Sequence, residues 1–303
     1  MSFQEWFWYI EFDTPTHAHM KALKRIIHRH RSKYQDIVVA ESFDHGLVLI
    51  LDGKTQSAER DEFVYHEALV HPAMILHGNP RKVLVLGGGE GATLREVLKY
   101  PSVKEAVMVD IDEDVVRVSR EYLRFMNKGV FEDPRVKLVI GDALDYVFNT
   151  REKFDVVIAD LSDPLAGGPS YKLYTLEFYR RVAEILGEDG VFVTQATSPT
   201  NTPRTHAIIY RTVSSVFRYT AYYHIYMASF ESVWGFVIAS NSRNPKSLKP
   251  ETVDEVLERN AIKTRFYDSQ SHIHMFTVPK HLREYIESVT EISTMNNPVY
   301  MPA

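Results

Sequence analysis

The feature that most constrains this chain is the run Val83-Leu84-Val85-Leu86-Gly87-Gly88-Gly89-Glu90-Gly91, an apolar stretch that breaks into glycines with one carboxylate among them. An apolar strand feeding clustered glycines and then a helical pattern, Ala92 to Tyr100, reads as the first strand-turn-helix of a nucleotide-binding α/β domain. The glycines let backbone come close to a ligand. Glu90 narrows the choice of ligand, because a loop that cradles phosphate or carboxylate does not normally hold a negative charge at its centre. A cationic ligand suits it.

Beyond this loop the pattern alternates strand and helix. Strands are predicted at Lys82 to Leu86, Glu105 to Asp110, Val136 to Ile140, Phe154 to Ala159 and Gly190 to Gln195, with helical patterns between them. Such alternation makes a mostly parallel, Rossmann-like sheet whose ligands sit at the carboxyl ends of the strands. Tyr222 to Tyr226 and Trp234 to Ala239 are expected to add an antiparallel edge. Ahead of the loop, Ser32 to Glu41 and Gly46 to Leu51 read as a hairpin, and Asp61 to His77 as a helix. The expected division is a small N-terminal β domain, residues 1–60, and a Rossmann-like catalytic domain, residues 61–303.

At 303 residues, 45% hydrophobic and 25% charged, the chain can bury a sizeable core. No run approaches a membrane span, and the start at Met1 lacks the basic and apolar regions of a leader, so a cytoplasmic protein is expected. The absence of cysteine excludes disulfides and thiolate metal sites and fits selection against heat-labile residues. A net charge of -5 argues against a nucleic-acid partner. The basic run Lys21 to Arg31 is the exception, and it reads as a solvated edge strand or helix face.

Carboxylates gather at the predicted strand ends. Asp110, about twenty residues after the glycine loop, suits a ribose diol. Nicotinamide binding would instead require a pyrophosphate where Glu90 stands, so a sulfonium nucleoside is preferred. Asp142 with Ala143 could meet an adenine amino group, although Asp142 is also a good helix cap. Asp160 and Asp163 stand together at the fourth strand's mouth, costly unless a cation lies between them. Tyr65 and His66 gain interest only from preceding the same loop. The thirteen histidines are scattered, and no metal site is expected.

These residues resemble the polyamine aminopropyltransferases, the spermidine and thermospermine synthases. The resemblance rests on Tyr34-Gln35-Asp36-Ile37, Leu51-Asp52-Gly53-Lys54-Thr55-Gln56, Tyr65-His66-Glu67, Gly87 to Gly91, Gly141-Asp142-Ala143, Asp160 to Pro164 and Leu173-Tyr174-Thr175, in the family's order. It implies transfer of a propylamine group from decarboxylated S-adenosylmethionine, a co-substrate with no further cofactor, to a polyamine, releasing methylthioadenosine. Asp160 would be the general base. Gln35, Gln56, Gly87, Glu90, Asp110, Asp142, Ala143 and Pro169 would bind the donor; Tyr65, His66, Glu90, Asp160, Asp163, Tyr174 and Glu231 would bind the amine. The resemblance also implies a homodimer or homotetramer.

Three departures from spermidine synthases point toward thermospermine synthases and a longer acceptor: Glu90 in place of aspartate, Gln195-Ala196-Thr197 in place of a Gln-Gly-Glu-like run, and Ser229 to Gly235 in place of a Tyr-Pro-Ser-Gly run. Putrescine, agmatine and cadaverine stay open as acceptors. Two other readings stay open as well: a small-molecule methyltransferase using S-adenosylmethionine, and a non-catalytic polyamine-binding protein.

Overall fold

The computed structural model describes residues 6–302; the first five residues, on which the reading of the N-terminal start rests, lie outside it. Five strands open the chain: β1 (Phe7–Thr14), β2 (His17–Arg31), β3 (Asp36–Ser42), β4 (Gly46–Leu51) and β5 (Lys54–Ala58), paired in sequence order as an antiparallel sheet. The predicted hairpin is thus the β3–β4 part of a five-stranded unit, and Gln56 lies on β5. The basic run is in β2, which is paired on both sides and is not an edge. Several of its cations are partnered: Lys21 with Glu11, Lys24 and Arg25 with Glu41, and Arg31 with Asp36.

Then follow α1 (Glu62–His77), β6 (Lys82–Gly87), α2 (Ala92–Leu98), β7 (Glu105–Asp110), α3 (Glu113–Tyr122), α4 (Arg124–Asn127), β8 (Val136–Ile140), α5 (Ala143–Asn149), β9 (Phe154–Asp160), α6 (Leu176–Ile185) and β10 (Leu186–Gln195). The chain ends with α7 (Pro203–Ser214), β11 (Tyr219–Met227), β12 (Ser232–Ser240), α8 (Pro250–Arg259), α9 (Ser269–Phe276) and α10 (Lys280–Ser288). The second sheet has the order β11-β12-β10-β9-β6-β7-β8. Its β8, β7, β6, β9 and β10 are parallel, and β12 and β11 add the expected antiparallel edge. Strand β10 begins at Leu186, earlier than the sequence suggested, through an irregularity between Leu186 and Val191.

The central strands are covered on both faces, which explains their unbroken apolar runs. Val83 to Leu86 are fully buried, each side chain contributing about 1.5–3 kcal/mol. One face packs against α1, α8 and α9, the other against α5, α6 and α7. A third cluster joins Ile37, Val39 and Leu49 of the first sheet to Val115, Val118, Leu123 and Met126. That contact sets the N-terminal sheet over the carboxyl ends of β6 and β7. Strand order reverses around β6, so the crevice opens where β6 and its neighbours end.

Candidate active site

Strand β6 pairs with β9 so that Gly87 lies beside Asp160. A side chain at Gly87 would collide with the Asp160 carbonyl, and one at Gly89 would come within 2.8 Å of the Asp110 carboxylate. The glycines therefore clear room for two carboxylates of the neighbouring strands as well as for a ligand. Asp160, Asp110 and Glu90 consequently converge on one loop. They line a cavity of about 150 Å³, together with Tyr65, Asp163, Gln35, Gln56, Asp142, Ala143 and Pro169.

Asp160 is fixed from two sides: the Tyr65 hydroxyl donates to its Oδ1 at 2.9 Å and the Thr93 hydroxyl to its Oδ2 at 2.6 Å. Burial, reinforced by the charge of Glu90, pushes its carboxyl up to about 6. Asp163 is likewise pushed by burial to about 6, with Gln195 Nε2 3.3 Å from its Oδ1. Asp110 is pushed to about 7 by burial and by the neighbouring carboxylates, Glu90 among them, against a backbone bond from Asp112 at 2.8 Å. Carboxyls that resist ionisation for want of positive partners form a site built for cations.

Glu90 already has one such partner. Its Oε1 lies 2.8 Å from His66 Nε2, while His66 Nδ1 lies 3.0 Å from Glu62 Oε2 and 2.7 Å from the Glu62 carbonyl. Arg95 grips Glu62 with two 2.9 Å bonds. Although burial opposes its charge, His66 is raised to about 10 by bonds to Glu62 and Glu90. For Glu90 burial works in the same opposing sense, and His66 nonetheless holds its carboxylate below the usual range. The folded state thus binds this proton more tightly than an unfolded imidazole does. The resulting stabilisation is complete below about pH 6.5 and is lost as pH rises through about 10. We expect His66→Gln to flatten the fall of Tm with pH across that window; a Tm-pH curve parallel to that of the parent would refute it.

Among the described residues two trios have ligand atoms close enough for a metal ion: Glu11, Asp13 and His19, and His66, Glu90 and Asp160. In the first, the Lys21 ammonium lies 2.9 Å from Glu11 and 2.5 Å from His19. In the second, both His66 nitrogens face carboxylates and carry protons, leaving no lone pair for a metal. Each trio is matched to a nitrogen cation.

The remaining predicted residues divide. Gln35 lines the cavity while its amide donates to Asp112 at 2.9 Å, and Gln56 lines it from β5. Asp142 caps α5, accepting from the Leu144 amide at 2.7 Å, beside buried Ala143. Tyr174 is fully buried behind the cavity wall, joined to Gln195 at 2.6 Å. Glu67 turns away and accepts backbone bonds from Arg265, Phe266 and Tyr267. Glu231 is exposed on the β11–β12 turn, outside the cavity wall to which Phe230 and Ser232 contribute. The sequence reading gave no role to Thr93, Glu62 or Arg95. Glu62 gave a signal as the charged residue that opens α1, whereas Thr93 and Arg95 lie in the buried, mostly apolar pattern of α2 and gave little.

Residues 62–249 match the spermine/spermidine synthase domain, and residues 7–59 the spermidine synthase tetramerisation domain. The chain belongs to the spermine/spermidine synthase family. It is a transferase of polyamine metabolism. The polyamine aminopropyltransferase of Aeropyrum pernix is 51% identical over 99% of this chain and 97% of its own length; that of Sulfolobus acidocaldarius is 46% identical over 99% of each. A crystal structure of spermidine synthase in complex with the transition-state analogue AdoDATO superposes with a TM-score of 0.88 at 36% identity, covering 93% of this chain and 96% of that one. Spermidine synthase from Thermotoga maritima gives a TM-score of 0.86 at 35% identity, covering 93% and 95%. Among the described residues no helix is long and apolar enough to cross a membrane.

Proposed function

We propose that this cavity transfers the propylamine group of decarboxylated S-adenosylmethionine to a polyamine, with Asp160 as general base. The supporting observation is the convergence of Asp160, Asp163, Asp110 and Glu90 on one cavity, against which the nearby cations are His66, bonded to Glu90, and Lys54, whose charge reaches Asp163. A donor with a sulfonium and an ammonium, and an acceptor with two or more ammonium groups, relieve that imbalance. In this reading Asp110 holds the ribose, Asp142 and Ala143 the adenine, and Glu90 the donor ammonium. Intact S-adenosylmethionine would set its own carboxylate against Glu90, which disfavours the methyltransferase reading.

The acceptor nitrogen, once it has lost a proton to Asp160, attacks the carbon attached to sulfur. The N–C bond forms as the C–S bond breaks, and the electron pair stays on sulfur as methylthioadenosine. Sulfonium is an activated leaving group, so alignment supplies much of the acceleration. Each Asp160 oxygen accepts one hydroxyl and keeps a further lone pair for the amine.

We favour an acceptor longer than putrescine. The cavity continues past Asp163 to Glu11, Asp13 and Lys54 of the N-terminal sheet, which supports a substrate with amines at several distances. Single-turnover assays with putrescine, agmatine, cadaverine and spermidine, products resolved by chromatography, test this. Fastest transfer to putrescine would overturn it.

We also propose a cytoplasmic homodimer or homotetramer, built from a β domain, residues 1–60, and a catalytic domain, residues 61–303. Trp8, Ile10 and Phe12 alternate along β1 with Met20 opposite Ile10, all at least half exposed on one sheet face. Ile10→Glu is expected to halve the mass seen by light scattering. An unchanged mass would place the interface elsewhere.

A further inference from the structure

We infer that the C-terminal tail, residues 293–301, is part of the active site, with Met301 positioning the loop that carries Asp163. The Met301 backbone N–H donates to the Pro164 carbonyl at 2.9 Å, one residue beyond Asp163, and its side chain lines the cavity. Tyr300 packs its ring 5.4 Å from that of Tyr171, at the far end of the same loop. The tail therefore touches both ends of residues 164–171, whose middle, Ala166 and Gly167, is exposed.

The tail is itself anchored firmly. Ser293 is buried: its N–H donates to Thr212 Oγ1 at 2.9 Å, its carbonyl accepts from Leu176 at 2.8 Å, and its Oγ accepts from the Val299 amide at 2.9 Å. Thr205 of α7 donates to the Tyr300 carbonyl at 3.2 Å. Val299 and Met301 are both buried. The tail itself, residues 293–301, lies beyond the matched synthase domain, which ends at residue 249.

Inside the loop, Ser170 donates to the Asp163 carbonyl at 2.8 Å, so one end of the loop is bonded to the other. The bond from Met301 is the outside tether on that closed unit at Pro164. Without it, Asp163 keeps its chemistry and its bond from Gln195, but the loop that follows it is less firmly held and its distance from Asp160 less closely set. Met301 adds an apolar thioether residue to the cavity lining, suited to the methylene segments of an amine.

Two substitutions separate these roles. Met301→Pro removes the N–H and hence the tether; Met301→Ala keeps the tether and removes the thioether. Hydrogen-deuterium exchange of residues 165–171 reads the tether without any assay of turnover, so it stands apart from the transferase reading on which the functional role rests. We expect faster exchange in Met301→Pro, with KM for the amine raised roughly tenfold and KM for the donor little changed. Met301→Ala should exchange like the parent while KM for the amine rises severalfold. If Met301→Pro does not fold, a chain ending at Tyr300 lacks the same bond and carries the same expectation. Exchange identical to the parent in the tether-free chain, or a lowered Tm with unchanged KM in both substitutions, would overturn the inference. A parent enzyme with no aminopropyl transfer but with faster exchange in Met301→Pro would instead refute the proposed reaction and keep the tether.

Discussion

Replacing Asp160 with asparagine is expected to lower turnover by at least roughly a hundredfold while leaving donor binding within a few-fold of the parent, the loss typical of a removed general base. The side chain keeps its size, and Tyr65 and Thr93 can still bond to an amide, so geometry survives. Proton acceptance and the negative charge are lost. Because burial lifts this carboxyl from 3.8 to about 6, its ionised form costs folded stability above that pH, and the cost vanishes below about 3.8. Asp160→Asn should therefore have an equal or higher Tm at pH 8 although it is nearly inactive. For the parent, the base works only when ionised, so kcat/KM of the donor-free enzyme should fall as pH drops through about 6. Near-normal turnover in the asparagine variant would refute the assignment. So would a Tm collapse that accounted for the lost rate.

Glu90→Gln carries the second large effect, and it falls on selectivity. A charged hydrogen bond to the donor ammonium is worth about 1.5–3 kcal/mol, so donor affinity should drop roughly tenfold to a hundredfold. Intact S-adenosylmethionine carries a carboxylate that Glu90 repels, and its binding should improve as the charge is removed. The two changes run in opposite directions, which a general loosening of the loop cannot imitate. His66 gives an internal control: with one carboxylate partner neutralised, its imidazolium should release its proton at lower pH than in the parent. Equal weakening of both nucleosides in calorimetry would sink the proposal.

Much of this arrangement was legible because local pattern and long-range packing agreed. Val83 to Leu86 and Val156 to Ala159 are apolar without a break because both sheet faces are covered, and the polar residues follow where each strand emerges. The glycine run was legible for a related reason, since close backbone approach leaves only glycine. The N-terminal unit was read less fully. Strand β2 alternates cations with apolar residues, and sequence alone does not reveal that Lys21 and Arg25 meet Glu11 and Glu41 across the sheet. Thr93 sits in an apolar helix pattern and is polar only toward Asp160. Glu231 shared its neighbourhood with cavity residues, but a positive φ of 48° marks the turn on which it is exposed. Met301 carried no sequence signal, because its contact is made by a backbone N–H.

The most direct test of the central claim is to incubate the protein with decarboxylated S-adenosylmethionine and an amine panel, and to count methylthioadenosine against aminopropylated product by chromatography and mass spectrometry. One methylthioadenosine for each aminopropylated amine, with no methylated product from S-adenosylmethionine, is the predicted result. Methyl transfer from S-adenosylmethionine, or tight amine binding with no methylthioadenosine formed, would contradict it.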